Sequence, residues 1–124
     1  MRLLLDTRVV MWWLGDSPEL SPQVRELLDT DPGVHVSAVS PWEITVGQFL
    51  GTVEGPGDLA EQVRDLPFAG VPVTAAHGVR AGRLPMLHTD PFDRMLIAQA
   101  QAEGMVLVTR SAWIPQYDVQ VMQV

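Results

Sequence analysis

Short apolar runs alternate with stretches of helical spacing along this chain. Leu3-Leu4-Leu5 is stopped by the polar pair Asp6-Thr7, which predicts a buried strand over residues 2 to 5 ending at a carboxylate. Val9 to Leu14 is apolar on most sides and predicts a short buried helix, closed by Gly15 and Asp16-Ser17-Pro18. Ser21-Pro22 supplies an N-cap and a first-turn proline for a helix through Val24, Leu27 and Leu28, which Asp31-Pro32-Gly33 breaks. Val34-His35-Val36-Ser37 predicts a second strand. Ser40-Pro41-Trp42-Glu43 then opens a helix by the same cap-then-proline logic, which puts Glu43 in its first turn.

Residues 51 to 57 form a glycine-bounded loop, and Leu59, Val63 and Leu66 recur at helical spacing before Pro67. Val71-Pro72-Val73 predicts a short edge strand, because proline removes a ladder donor. A small helix near Ala75 to Ala81 follows, then a loop over residues 82 to 89. Asp90-Pro91-Phe92-Asp93 opens the longest helical pattern, through Leu96, Ile97, Ala100 and Ala102 to Gly104. Met105 to Thr109 is a continuous apolar run of the kind buried on both faces of a sheet. Strands alternating with helices predict a single α/β domain over residues 1 to 124, built on a mostly parallel sheet. In such sheets ligands bind beyond the carboxyl ends of the strands. That rule gathers Asp6, the Glu43 turn, the Asp90 to Asp93 turn and the segment after Thr109.

Composition narrows the chemistry. With no cysteine the chain has no disulfide framework, thiolate zinc site or nucleophilic thiol, and an intracellular, cytoplasmic protein is expected. Asp6 interrupts the N-terminal apolar stretch before it could serve as a signal-peptide core or cross a bilayer, so no membrane association is expected. All eight basic residues are Arg. Without Lys, a GxxxxGK[ST] phosphate loop and Schiff-base catalysis are both excluded. A formal charge of -7 opposes nucleic-acid binding by bulk electrostatics, so an RNA substrate would have to be held by metal ions and a few Arg.

Asp6, Glu43 and Asp93 can point into one cleft, where three carboxylates without a Lys would repel one another. A hard dication such as Mg²⁺ removes that repulsion, lowers the pKa of a water it coordinates and neutralises charge building on phosphoryl oxygens. The fitting chemistry is phosphodiester hydrolysis that leaves 5′-phosphate ends. Each acid also has a structural reading. Asp90 fits a helix N-cap equally well, Asp93 and Glu43 fit helix-dipole partners, and Asp6 could close an Asx-turn. The histidines His35, His77 and His88 lack ligand spacing and are expected in structural or surface roles. Trp12 and Trp13 are expected in the core or a subunit interface. Arg8, Arg94 and Arg110 adjoin the acidic positions and could grip phosphates or neutralise carboxylates, with a structural ion pair favoured for Arg94.

Four segments in order, Leu4-Leu5-Asp6-Thr7, Ser37-Ala38-Val39-Ser40-Pro41-Trp42-Glu43-Ile44, His88 through Ala100, and Leu107-Val108-Thr109-Arg110, resemble PIN-domain toxins of the VapC type over essentially the whole chain. The resemblance implies a three-layer α/β/α fold and Mg²⁺- or Mn²⁺-dependent endoribonuclease activity. It also implies a VapB-type antitoxin that blocks the site, and a homodimer. Carried over by position, Asp6, Glu43 and Asp93 take the metal-site acids, Asp90 is an accessory acid, and Thr7 and Thr109 are near-site hydroxyls. The antitoxin is expected to present an amphipathic segment to an apolar groove, for which Trp12, Trp13 and Phe49 are the candidates, and a cation to the acids. Any DNA binding is expected of the antitoxin rather than of this chain.

Three positions depart from the family pattern: Arg8 stands in place of the common His, Gly47 in place of the frequent Lys, and Ser111 in place of the usual acid after the last central strand. Loss of that acid predicts weaker metal affinity, and Asp118 could replace it only if the C-terminal segment folded back. Ser111 therefore also admits an alternative, a PIN-fold protein that acts by binding antitoxin or RNA and cleaves poorly.

Overall fold

A computed structural model describes residues 1–124. In chain order it contains β1 (Leu3–Leu5), α1 (Thr7–Leu14), α2 (Pro22–Thr30), β2 (Val34–Ser37), α3 (Val39–Leu50), α4 (Leu59–Arg64), β3 (Ala69–Val71), α5 (Ala75–Arg83), α6 (Pro91–Glu103), β4 (Val106–Thr109), a 3₁₀ turn (Ile114–Gln116) and β5 (Val121–Gln123). The five strands form one sheet in the order β3-β2-β1-β4-β5, and every pairing is parallel. No helix is long and apolar enough to cross a membrane.

Period-two alternation in β1 divides the interior into two cores. Leu3 and Leu5 pack with Val9, Val10, Leu28 and Ile44 on one face of the sheet. Leu4 packs with Leu96, Ile97, Ala100 and Leu107 on the other. Helices thus cover both faces, giving the three-layer arrangement that an all-parallel sheet requires. β1 is central: the chain leaves it toward β2 on one side, while β4 lies on the other. The crevice at this reversal opens above the carboxyl ends of β1 and β4, where Asp6 and Thr109 stand.

Two helix starts follow the cap-then-proline pattern. The Ser21 Oγ accepts from the Val24 amide at 3.2 Å, and Asp90 accepts from both Phe92 and Asp93. The third differs. α3 begins at Val39, two residues before Pro41, because the Ser37 Oγ rather than that of Ser40 accepts from the Val39 amide, at 3.0 Å. Pro41 is tolerated in that first turn, where its missing N–H would have had no helical partner. Glu43 consequently sits in the second turn.

The remaining differences lie at the sheet edges. β3 is Ala69–Val71 rather than Val71 to Val73, since Pro72 and Val73 fall outside the pairing with β2. β5 pairs with β4 through Val121 to Gln123, an element with no counterpart in the sequence reading.

Candidate active site

A cavity of about 400 Å³ lies above the carboxyl ends of the central strands. It is lined by Asp6, Thr7, Arg8, Glu43, His88, Asp90, Asp93, Arg110, Ser111, Ala112 and Trp113, almost all polar. The four acids named from the sequence therefore share one cleft, although they come from three separate segments.

Local structure aims each acid. Asp6 ends β1 and caps α1: its Oδ1 accepts from the Val9 amide at 2.8 Å, and its Oδ2 accepts from the Thr109 hydroxyl at the end of β4. The Asx-type cap and a role in the cavity thus coexist in one side chain. Thr7 donates to Glu43 Oε1 at 2.6 Å and lies 2.9 Å from the Ser40 hydroxyl, tying α1 to α3. Asp90 spends its Oδ1 on the α6 cap, accepting from Phe92 at 2.8 Å and Asp93 at 3.1 Å. Asp93 does not cap. Its Oδ2 accepts from His88 Nε2 at 3.0 Å, so His88 joins the site and does not stand in a separate structural or surface position. The tightest set of possible ligand atoms is in fact His88, Asp90 and Asp93, all within 4.8 Å of one another, and not the expected trio of Asp6, Glu43 and Asp93.

The electrostatics are those of crowded acceptors. Glu43 is pushed up to about 7, first by burial and then by Asp93, Asp90 and Asp6, against the opposing Thr7 hydrogen bond. Burial likewise raises Asp93, with Asp90 and Asp6 adding to it while His88 opposes. Asp6 is also raised by burial, against the hydrogen bonds from Thr109 and Val9. A hard cation would reverse all three shifts at once. The oxygen-rich donor set suits Mg²⁺ or Mn²⁺ better than a metal that prefers imidazole, and leaves His88 as an orienting partner of Asp93.

The basic residues divide. Arg8 is exposed at the cavity with no hydrogen-bond partner, free to meet a phosphate. Arg110 lines the cavity too, but its guanidinium pairs with the Glu19 carboxylate, donates to the Val124 carbonyl at 2.9 Å and lies 4.4 Å over the Trp12 ring. Arg94 corrects the sequence reading on both counts: it neither lines the cavity nor pairs with a carboxylate. It is buried, and donates to the carbonyls of Ala81, Leu84, Pro85 and His88 and to the Tyr117 hydroxyl. Its work is to hold the segment that ends at His88.

Ser111 is also structurally committed. Its Oγ accepts from the amides of Trp113 at 3.1 Å and Ile114 at 3.4 Å, starting the 3₁₀ turn. Asp118 does not replace the missing acid. The chain does fold back to make β5, but the parallel pairing carries Asp118 to the opposite end of the sheet, beside Gln101. His35 and His77 hold structural positions, bonded respectively to the Gly33 carbonyl and to Thr74 and Glu103. Trp13 packs edge-on against Phe68 at 4.8 Å, so it and Trp12 are engaged within the fold, whereas Phe49 is 89% exposed. His88 and Trp113 are the cavity residues that sequence reasoning passed over. The position of His88, two residues before a capping Asp and five before Asp93, was the available signal.

Comparison with known proteins agrees with this fold. The family model for the PIN domain matches residues 3–117. The fold is similar to that of VapBC2 from Rickettsia felis bound to a DNA fragment from its promoter, with a TM-score of 0.75, 16% identity, and 99% of this chain and 98% of that chain covered. FitAcB from Neisseria gonorrhoeae gives a TM-score of 0.70 at 20% identity, covering 98% and 96%. DNA-bound VapBC from Salmonella typhimurium gives 0.68 at 15% identity, covering 99% and 98%. No curated protein matches the sequence.

Proposed function

The chain belongs to the PIN domain family, and from that premise we propose that it is a metal-dependent endoribonuclease toxin restrained by an antitoxin. The observation that carries this reading is the convergence of Asp6, Glu43, Asp90 and Asp93 on one cavity, with three of the four pushed toward their protonated forms. Mg²⁺ or Mn²⁺ held by Asp6, Asp93 and Glu43 would supply an acidified water and offset charge on the phosphoryl oxygens.

The chain's own groups prepare that seat. Thr109 and the Val9 amide fix the Asp6 carboxylate, Thr7 fixes Glu43 and His88 fixes Asp93, so each acid offers oxygens in a set direction. Arg8 is the guanidinium free to grip a substrate phosphate in bidentate fashion. Glu43 Oε2, Asp90 Oδ2 and Asp93 Oδ1 accept no hydrogen bond within the chain, which leaves them available to cation or water.

Several solved structures of this fold are toxin-antitoxin complexes, which supports an antitoxin as partner here. An Arg or Lys of the antitoxin would occupy the acidic cavity, while an amphipathic segment would cover the exposed Phe49 and Leu50 of α3. The family resemblance further supports a homodimer working inside the cell. DNA binding falls to the antitoxin, consistent with a chain of charge -7. Ser111 favours a second reading, a poorly cleaving binder.

Labelled total RNA incubated with purified, antitoxin-free protein and Mg²⁺, Mn²⁺ or EDTA decides between them, with Asp6→Asn as control. Metal-dependent cuts bearing 5′-phosphates that vanish in the variant establish the nuclease. No cleavage, with no metal binding by calorimetry, overturns it in favour of the binder.

A further inference from the structure

One wall of the acidic cavity differs from the rest. The imidazole of His88 and the indole of Trp113 lie parallel, 5° apart with ring centroids 5.8 Å distant, and both line the cavity. His88 is fixed in turn by its bond to Asp93, and its own amide donates to the Tyr117 hydroxyl at 2.9 Å. Arg94 grips the carbonyls of Leu84, Pro85 and His88 itself. The Trp113 amide is anchored to Ser111, at the start of the 3₁₀ turn. Two rigidly placed rings are therefore stacked at the edge of the cavity, yet Trp113 is 49% exposed.

We infer that Trp113, flanked by His88, is a stacking platform for an unpaired nucleobase next to the phosphate that is cut. This rests on the nuclease reading above and assigns a base-contacting residue to the same cavity. A half-exposed indole lying parallel to a second ring, offset from it, leaves ring surface open at the cavity edge, and a base stacks on such a face whatever its identity. A base in a duplex is covered on both sides by its neighbours and cannot use it. The surroundings favour a base over an apolar protein side chain. The other lining residues are polar or charged except Ala112, so the polar edges of a base find partners there and an inserted Leu or Phe would not. Arg8 supplies the phosphate contact in the same cavity. Trp113 thereby acts on binding and specificity, and His88 and Arg94 act through it as positioning residues.

The test uses a single-stranded oligoribonucleotide carrying 2-aminopurine, the same sequence in a duplex, and the intact protein with Trp113→Ala and Trp113→Phe. Stacking quenches 2-aminopurine, so the wild type should bind and quench the single strand and largely ignore the duplex. Trp113→Ala should weaken that binding about tenfold and lose the quench, and Trp113→Phe should restore most of both. Mn²⁺ affinity by calorimetry should be the same in all three proteins. Equal RNA binding by Trp113→Ala overturns the platform, and so does parallel loss of Mn²⁺ affinity, which would mark a structural role. Equal binding of strand and duplex also overturns it. So does loss of affinity in Trp113→Ala for a co-purifying antitoxin only, which would assign the ring to protein recognition. Cleavage by the wild type is scored separately: a nuclease indifferent to Trp113 defeats the platform alone, whereas a protein that binds and quenches RNA but never cuts defeats the nuclease reading alone.

Discussion

Two polar regions of this molecule each contain a histidine beside a carboxylate, and they are built on opposite principles. In the first, His77 Nδ1 accepts from the Thr74 amide at 3.1 Å and His77 Nε2 donates to Glu103 at 2.9 Å. Gln99 accepts from Ser37 at 2.6 Å and donates to the Pro72 carbonyl and to His77. Donors and acceptors are matched, and the network joins α5, α6 and the end of β2. In the second, the acidic cavity, Glu43 Oε2, Asp90 Oδ2 and Asp93 Oδ1 face no donor, and burial and mutual repulsion favour the neutral forms of Glu43 and Asp93. A matched network stabilises the fold. A crowd of half-buried acceptors costs stability unless something outside the chain completes it, and that is the physical signature of a site.

The sharpest break of this comparison is Asp6→Asn. The Asn oxygen can still cap α1, and the Thr109 hydroxyl can turn to accept from the new amide, so melting should move little. Cleavage should fall by about a thousandfold, beyond the ~10- to 100-fold that loss of an outer-shell partner costs. A labelled-RNA assay paired with thermal melting checks this. Comparable loss of fold and activity would place Asp6 with the matched network instead.

Gln99→Leu is the complementary lesion. It leaves the buried Ser37 hydroxyl without its acceptor, costing about 1–3 kcal/mol, and removes the part-buried bond to the Pro72 carbonyl, so urea unfolding should show a loss of roughly 2 kcal/mol. Mg²⁺ affinity of the folded fraction should be unchanged. A fall in affinity as large as the fall in stability would show that the two regions are coupled through Ser37 and α3.

The pH dependence reports on the acidic cavity. Glu43 is raised in the folded state, so its contribution to stability is fully present below about 4.5 and is lost as pH rises through about 7. Asp6 and Asp93, also raised, act in the same direction. The metal-free protein should therefore melt lower at pH 7 than at pH 5.5, with a slope that Glu43→Gln reduces. A cation must displace the same proton, so Mg²⁺ affinity should rise about tenfold per unit up to pH 7 and then level off. Melting curves with and without Mg²⁺ across that range supply the check. A flat affinity profile would remove Glu43 from the cation seat.

The sequence exposed Asp6, Asp90 and Asp93 because they lie at element boundaries marked by strong local chemistry, an apolar run cut by Asp6 and Asp90-Pro91 opening α6, whereas the cap-then-proline pattern puts Glu43 one turn too early. It hid what depends on distant partners. Ser40-Pro41 looked like a cap because the competing bond from Ser37 is invisible until β2 is placed. Arg94 looked like an ion-pair partner of the acids because four of its acceptors are backbone carbonyls, which carry no signal in a side-chain pattern. β5 is three residues of an edge strand, too short for periodicity, and His88 reaches Asp93 only once the turn before α6 is closed.

The smallest effect concerns the position where the cavity resembles the matched network most closely. Ser111 lines the cavity but spends its oxygen on the amides of Trp113 and Ile114. An Asp there can make the same cap with one carboxylate oxygen and turn the other to the cavity. Ser111→Asp should thus preserve the 3₁₀ turn while adding a further negative charge to the crowd. Without metal, melting should drop slightly from added repulsion, and with saturating Mg²⁺ it should rise above the parent, because ligand linkage rewards the tighter site. Calorimetry should show affinity improved several-fold, toward about tenfold, the worth of one partly solvated charge near a dication. A variant that lowers melting equally with and without Mg²⁺ would place the cation away from the end of β4, on the His88, Asp90 and Asp93 side of the cavity.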